Sequence, residues 1–170
     1  MSAPLVTQPG FTRALTAVRT GEIGLLRAAA LDLVATGDGQ ALDALGAEAI
    51  ALLRAATGST SVELQAHASA DGRAATFLGR AGHGIVVSAH LSLIVGEGQQ
   101  RVHAKIRLVG THGSVLVDLL RPQLEVRTAA GTTRVPHAAP RAAAAPEGTT
   151  EILAAIADSA RSGRTTSTTW

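Results

Sequence analysis

Between residues 61 and 136 the apolar side chains recur at every second position, in runs separated by short glycine-, proline- or polar-rich turns. This pattern, more than any other, constrains the fold. In "SVELQAHAS", Val62, Leu64 and Ala66 face one way and Glu63, Gln65 and His67 the other. In "RVHAKIRLVG", Val102, Ala104, Ile106 and Leu108 oppose Arg101, His103, Lys105 and Arg107. A period of two puts alternate residues on opposite faces of a strand, so each strand buries one face only. "RAATFLGR", "GIVVSAHLSLIV", "SVLVDLL", "QLEVRT" and "TTRVPH" read as further strands. Turns this short join antiparallel neighbours.

Before residue 58 two helical stretches flank one strand. Residues 12–20, "TRALTAVRT", read as a short helix capped by Thr12. Residues 24–35 read as a strand in which Asp32 points away from Leu31 and Leu33. Residues 36–40, "TGDGQ", are a glycine-rich loop. Residues 40–56 form the strongest helix, stopped at Thr57-Gly58. After the strands, 138–148 ("AAPRAAAAPEG") read as a linker. "TTEILAAIADSARSG" is a last helix, capped by Thr149 or Thr150 with Glu151 in its first turn, and 165–170 are expected to fray. The expected fold class is therefore α+β, one domain over 1–170. It is an open, mostly antiparallel sheet with helices on one face and the other face available for oligomerisation. That second face carries Ser88, His90, Ser92, His103, Lys105 and Arg107 among Val86 and Ile94, a mixture suited to a subunit interface and a homodimer.

Composition narrows the function. The chain has 170 residues, 46% of them hydrophobic, and its only aromatics are Phe11, Phe77 and Trp170, so the core is aliphatic. It has no cysteine, which excludes disulfides, zinc–thiolate sites and thiol nucleophiles. The sequence pI of about 10.4 accompanies a net charge of only +2, with scattered arginines and Lys105 as the single lysine. Without a basic run or a stacking platform, a nucleic-acid partner is not expected. No apolar run is long enough to span a bilayer and the N-terminus lacks the pattern of a signal peptide, so no membrane partner is expected and a cytoplasmic location is.

Several phrases, in order, resemble the C-terminal domain of the Gfo/Idh/MocA oxidoreductases. "GEIGLLRAAALDL" resembles its first strand. "GDGQALDALGAEAIALLRAATG" resembles its glycine loop and following helix. "AKIRLVGTHGSVLVDLLRPQLEV" resembles a strand pair, and "EILAAIADSARSGR" a last helix ending in Gly-Arg. The resemblance implies the fold, an oligomerisation face and a pocket against the 40–56 helix. It leaves out the family's N-terminal Rossmann domain. The sequence shows no GxGxxG after a strand, and the family's Glu-Lys-Pro segment is absent, so no dinucleotide or other cofactor is expected. The family's helix reads Asp-x-Gly-x-His-x-x-Asp. Aligned on Gly46, those places hold Ala44, Glu48 and Ala51 here. Asp43 is one residue, about 100° of rotation, out of register.

Glu48 is thus the first catalytic candidate: a carboxylate among Ala44, Ala51 and Ala55 has space beside it and an environment suited to acid–base work. The plainer reading is an exposed Glu on an amphipathic helix. Asp43, Ala44 and Ala51 are the substrate-binding candidates on the helix, and Lys105 the one on the sheet. His90 and His103 are the other catalytic candidates. A hairpin turning near residue 97 places His90 opposite His103, or opposite Lys105 in the alternative register, with His67 on the same face. No carboxylate is evident there as orienting partner or further ligand, so no metal is expected. Asp32 lines either the pocket or the surface. His83, His112 and His137 read as turn or surface residues, and Arg54, Arg73 and Arg80 as solvated charges. Ser88 and Ser92 each lie about 7 Å from His90 along the strand, too far to form a nucleophilic pair with it.

Two functions are compatible with these residues. One is dinucleotide-independent binding of a small molecule, with acid–base catalysis of a cyclisation, isomerisation or elimination. The other is a non-catalytic module that dimerises or completes a Rossmann-containing oxidoreductase partner in trans. A pocket beside Glu48 favours the first, and the many alanines on that helix lean the same way.

Overall fold

A computed structural model describes residues 4–96, 100–136 and 150–169. The expected linker, His137, Thr149 and the turn at residue 97 lie outside the described residues. The chain runs through α1 (Pro9–Arg19), β1 (Leu26–Thr36), α2 (Gly39–Thr57), β2 (Ser61–Ala68), β3 (Ala74–Ala81), β4 (Ile85–Ile94), β5 (Arg101–Gly110), β6 (Gly113–Asp118), β7 (Gln123–Thr128), β8 (Gly131–Pro136), α3 (Thr150–Ser162) and β9 (Thr166–Thr169). The class is α+β, with three helices and one open, mostly antiparallel sheet among the described residues.

Helix α1 starts at Pro9, three residues before the expected 12–20 stretch, with Gln8 rather than Thr12 at its cap. Pro9 occupies its first turn, where a fixed φ and a missing N–H are tolerated. Its Phe11, Ala14 and Ala17 are buried. Along β1, Leu31, Leu33 and Ala35 are buried and alternate with half-buried Asp32 and Val34. The same alternation carries Val87, Ala89, Leu91 and Leu93 of β4 and Ala104, Ile106 and Leu108 of β5 into one aliphatic core beneath α1, α2 and α3. Each such Leu, Ile or Val side chain contributes roughly 1.5–3 kcal/mol of burial against the ordering of its strand, and each Ala less.

The sheet order is β8-β7-β6-β5-β1-β4-β3-β2-β9. β4 and β5 are therefore not a hairpin, contrary to the sequence expectation. β1 lies between them, parallel to β4 and antiparallel to β5. The α2-β2-β3 segment supplies the long crossover that a parallel pair requires. The chain entering β5 is pinned across the end of β1: Thr36 N donates to Gln100 O at 2.8 Å, and Gln100 N to Thr36 Oγ1 at 3.0 Å.

The C-terminal residues also differ from expectation. Thr166–Thr169 pair with β2 rather than fray. Ser159, fully buried in α3, holds them there. Its hydroxyl accepts from Ala66 N at 3.0 Å and donates to Arg164 O at 2.6 Å. Ser159→Ala leaves both backbone groups without that partner. The expected cost is about 2 kcal/mol, together with faster amide exchange at Ala66. Unchanged exchange at Ala66 would show that the hydroxyl is not what holds α3 on β2.

Candidate functional site

The sequence candidates divide between the two sides of the sheet. On the helical side, Glu48 is neither exposed nor free. It is 6% exposed and its carboxylate is gripped from two directions by Arg101. Arg101 Nε donates to Oε2 at 2.8 Å and Nη2 donates to Oε1. Strict alternation places Arg101 on the open face with His103. The β1–β5 register instead slips there, Val34 opposing His103 while Ala35 opposes Arg101. That bulge turns Arg101 through the sheet toward α2, as bulges re-aim side chains elsewhere. Around Glu48, Asp43 and Ala44 are exposed and Ala51 is half-buried. The space beside Gly46 is closed by Leu153 of α3, which a Cβ there would meet at 2.8 Å. Both carboxylate oxygens are thus taken up by Arg101 rather than open to a ligand.

The other candidates lie on the open face. Successive strand registers carry one continuous row across it: His67, Thr76, His90, Asp32, Lys105, Asp118 and Gln123. Asp32, on the middle strand of the nine, is the centre of this row. His90 and Lys105 oppose it on either side. The expected His90–His103 and His90–Lys105 pairings are thus both replaced by pairings with β1. His103, one step along β5, places Nε2 3.1 Å from Asp32 Oδ2. His90 Nδ1 lies 3.0 Å from Thr76 Oγ1. Asp32 Oδ1 is closed from solvent and has no hydrogen-bond partner among the described residues. Lys105 shares this face and does not join Asp43, Ala44 and Ala51 across the sheet. Toward β8, Glu125 accepts from Arg127 at 2.9 Å and from Arg134 at 3.1 Å. These hydrogen bonds, Arg127's foremost, hold its carboxyl below the usual range.

Between the polar groups the face is apolar. Ile94 is exposed at the far end of β4, and Leu78 is 59% exposed with Val86 exposed near it. A cleft of about 260 Å³ opens there, lined by Glu63, Gln65, Leu78, Arg80, Val86 and Thr165. Among the described residues, no group of three or more His, Asp or Glu is arranged to hold a metal ion, and no helix is long and apolar enough to cross a membrane.

Sequence reasoning missed Asp32 as the partner of His103 and Arg101 as the partner of Glu48. The first was legible only with the strand order known. For the second, no residue type marks the bulge.

No protein-family model and no curated protein matches the chain. Solved structures do match its fold. An NAD-binding oxidoreductase from Klebsiella pneumoniae superposes with a TM-score of 0.77 at 12% identity, over 98% of this chain and 65% of its own. An oxidoreductase domain protein from Kribbella flavida gives 0.73 at 16% identity, over 96% and 64%. The aldose-aldose oxidoreductase of Caulobacter crescentus, complexed with glycerol, gives 0.71 at 16% identity, over 96% and 62%. The chain thus spans less than two thirds of these neighbours' length. Its fold is that of the C-terminal domain of Gfo/Idh/MocA-type oxidoreductases.

Proposed function

We propose that this domain is an assembly module that pairs with a second copy of itself through the open face of its sheet. The observation that carries the reading is the face itself: a centred row of polar groups set among exposed Leu78, Val86 and Ile94. The five central strands, six to eleven residues long, present roughly 700 Å² at about 4.8 Å between strands and about 3.3 Å per residue. That is about what one partner contributes to a standard stable interface. The charges are self-complementary: Glu63, Asp32, Asp118 and Glu125 alternate across the face with Arg80, Lys105, Arg107, Arg127 and Arg134. Two sheets stacked face to face would bury the apolar residues and fill the cleft beside Leu78. The small-molecule, acid–base reading fares less well, because Glu48 is held by Arg101 and the described cleft opens on the other side of the sheet.

Ala30, exposed on β1 between Ser88 and Arg107, tests this pairing. Light scattering of the purified chain gives twice the chain mass. Ala30→Arg places a second cation beside Arg107 and weakens association by about a hundredfold, because like charges brought together cost several kcal/mol. A monomer in the unaltered chain at high micromolar concentration contradicts the proposal.

A second reading, completion of an oxidoreductase in trans by a dinucleotide-binding partner, draws on exposed Asp43 and Ala44 on α2. Those residues lie across the sheet from the pairing face, so the two readings are compatible.

A further inference from the structure

We propose that association through this face is proton-linked, the His103–Asp32 pair taking up one proton per protomer as the dimer forms. The inference rests on the face-to-face pairing above. Asp32 is at the middle of the sheet, its side chain 51% exposed and that of His103 32% exposed. Stacking a second sheet about 10 Å away removes this remaining solvent. One carboxylate oxygen is already closed from solvent, with no hydrogen-bond partner among the described residues. Burying the carboxylate further is costly unless a cation is held against it. His103, with Nε2 3.1 Å from Oδ2, is the group in place to become that cation.

The surrounding charges leave this role to His103. On β5, Lys105 opposes Asp32 but also opposes Asp118 of β6, and Arg107 lies one step further on, exposed. Asp118 has Arg121 at 3.7 Å. On β4, Ser88 and Ser92 are neutral, and the Nδ1 of His90 is turned to Thr76. The helices pack on the other side of the sheet and bring no charge to Asp32.

The sign follows from where the proton is held more tightly. In the dimer the imidazolium faces a desolvated carboxylate, and in the free protomer a solvated one. Association therefore takes up protons and strengthens as pH falls through the ordinary imidazole range, near 6.5. Each protomer already carries a net charge of +2, so any general gain of positive charge at low pH acts in the opposite direction. A tightening at low pH cannot come from net charge.

Sedimentation equilibrium of the intact chain from pH 8 to pH 5.5 tests this. The expected dissociation constant falls by roughly tenfold per imidazole, about a hundredfold for the dimer. His103→Gln and Asp32→Asn each flatten the profile while leaving a dimer, and His90→Gln retains it. A dimer whose affinity is constant with pH overturns the proton linkage and leaves the pairing standing. A pH dependence that survives in both His103→Gln and Asp32→Asn also overturns it. A monomer at every pH overturns the pairing and the linkage together.

Discussion

Arg101→Ala is expected to lower the unfolding free energy by about 3 kcal/mol. Glu48 is buried on α2 and both of its oxygens rest on the Arg101 guanidinium. Removing one member of a buried pair leaves the other charge without compensation, which costs about 3–5 kcal/mol. The lower figure applies because Arg101 keeps 21% of its side-chain exposure and water can reach its place. Glu48→Ala alone should cost a similar amount. The double variant Glu48→Ala with Arg101→Ala should cost clearly less than the sum, since the second change removes a charge already stranded. Urea unfolding of the four proteins measures this cycle. Additive losses would show that the pair is not coupled. The residue found at the family's histidine position would then again be open to a chemical role.

Gly110→Ala is expected to cost about 3 kcal/mol and to lower Tm by about 10 °C in a chain of this length. A Cβ at Gly110 would collide with the Ile23 carbonyl oxygen and lie 2.8 Å from its carbonyl carbon. Backbone cannot turn aside as a side chain can, so either β5 or the segment leading into β1 must move. That segment is fastened at three points. His112 N donates to Ile23 O at 3.0 Å, Thr111 N to Leu25 O at 3.0 Å, and Leu25 N to Thr111 Oγ1 at 3.1 Å. Ile23 itself is fully buried. The displacement would loosen the start of the central strand, and differential scanning calorimetry reads the loss directly. A Tm within about 2 °C of the unaltered chain would mean that the segment shifts freely.

The elements were largely legible in the sequence because their signals are local. Alternation in 61–68 and 101–110 exposes strands, and the 40–56 periodicity with Thr57-Gly58 after it exposes α2. What was not legible is non-local. Nothing in "GIVVSAHLSLIV" or "RVHAKIRLVG" shows that a strand from residues 26–36 inserts between them. Turn-length reasoning therefore paired His90 with the wrong neighbour. Asp32 was seen to point away from Leu31 and Leu33, yet its partner could be assigned only once β1 had a place. The single-residue bulge that turns Arg101 onto Glu48 breaks the alternation without any glycine or proline to mark it. Nothing local marks Ser159, a polar residue on a helix, as the anchor of the last strand.

The pairing of two sheet faces is tested most directly by distance. The chain has no cysteine, so one introduced thiol carries one spin label. Arg107→Cys places it on the open face, and Arg54→Cys on exposed α2 at the opposite side. Sheets stacked about 10 Å apart bring two Arg107 labels within roughly 25 Å, while the helical layers keep two Arg54 labels well beyond that. Pulsed dipolar spectroscopy should therefore give a short distance from Arg107→Cys and none from Arg54→Cys. A short distance from the α2 label, or no intermolecular coupling at Arg107, would contradict assembly through the open face.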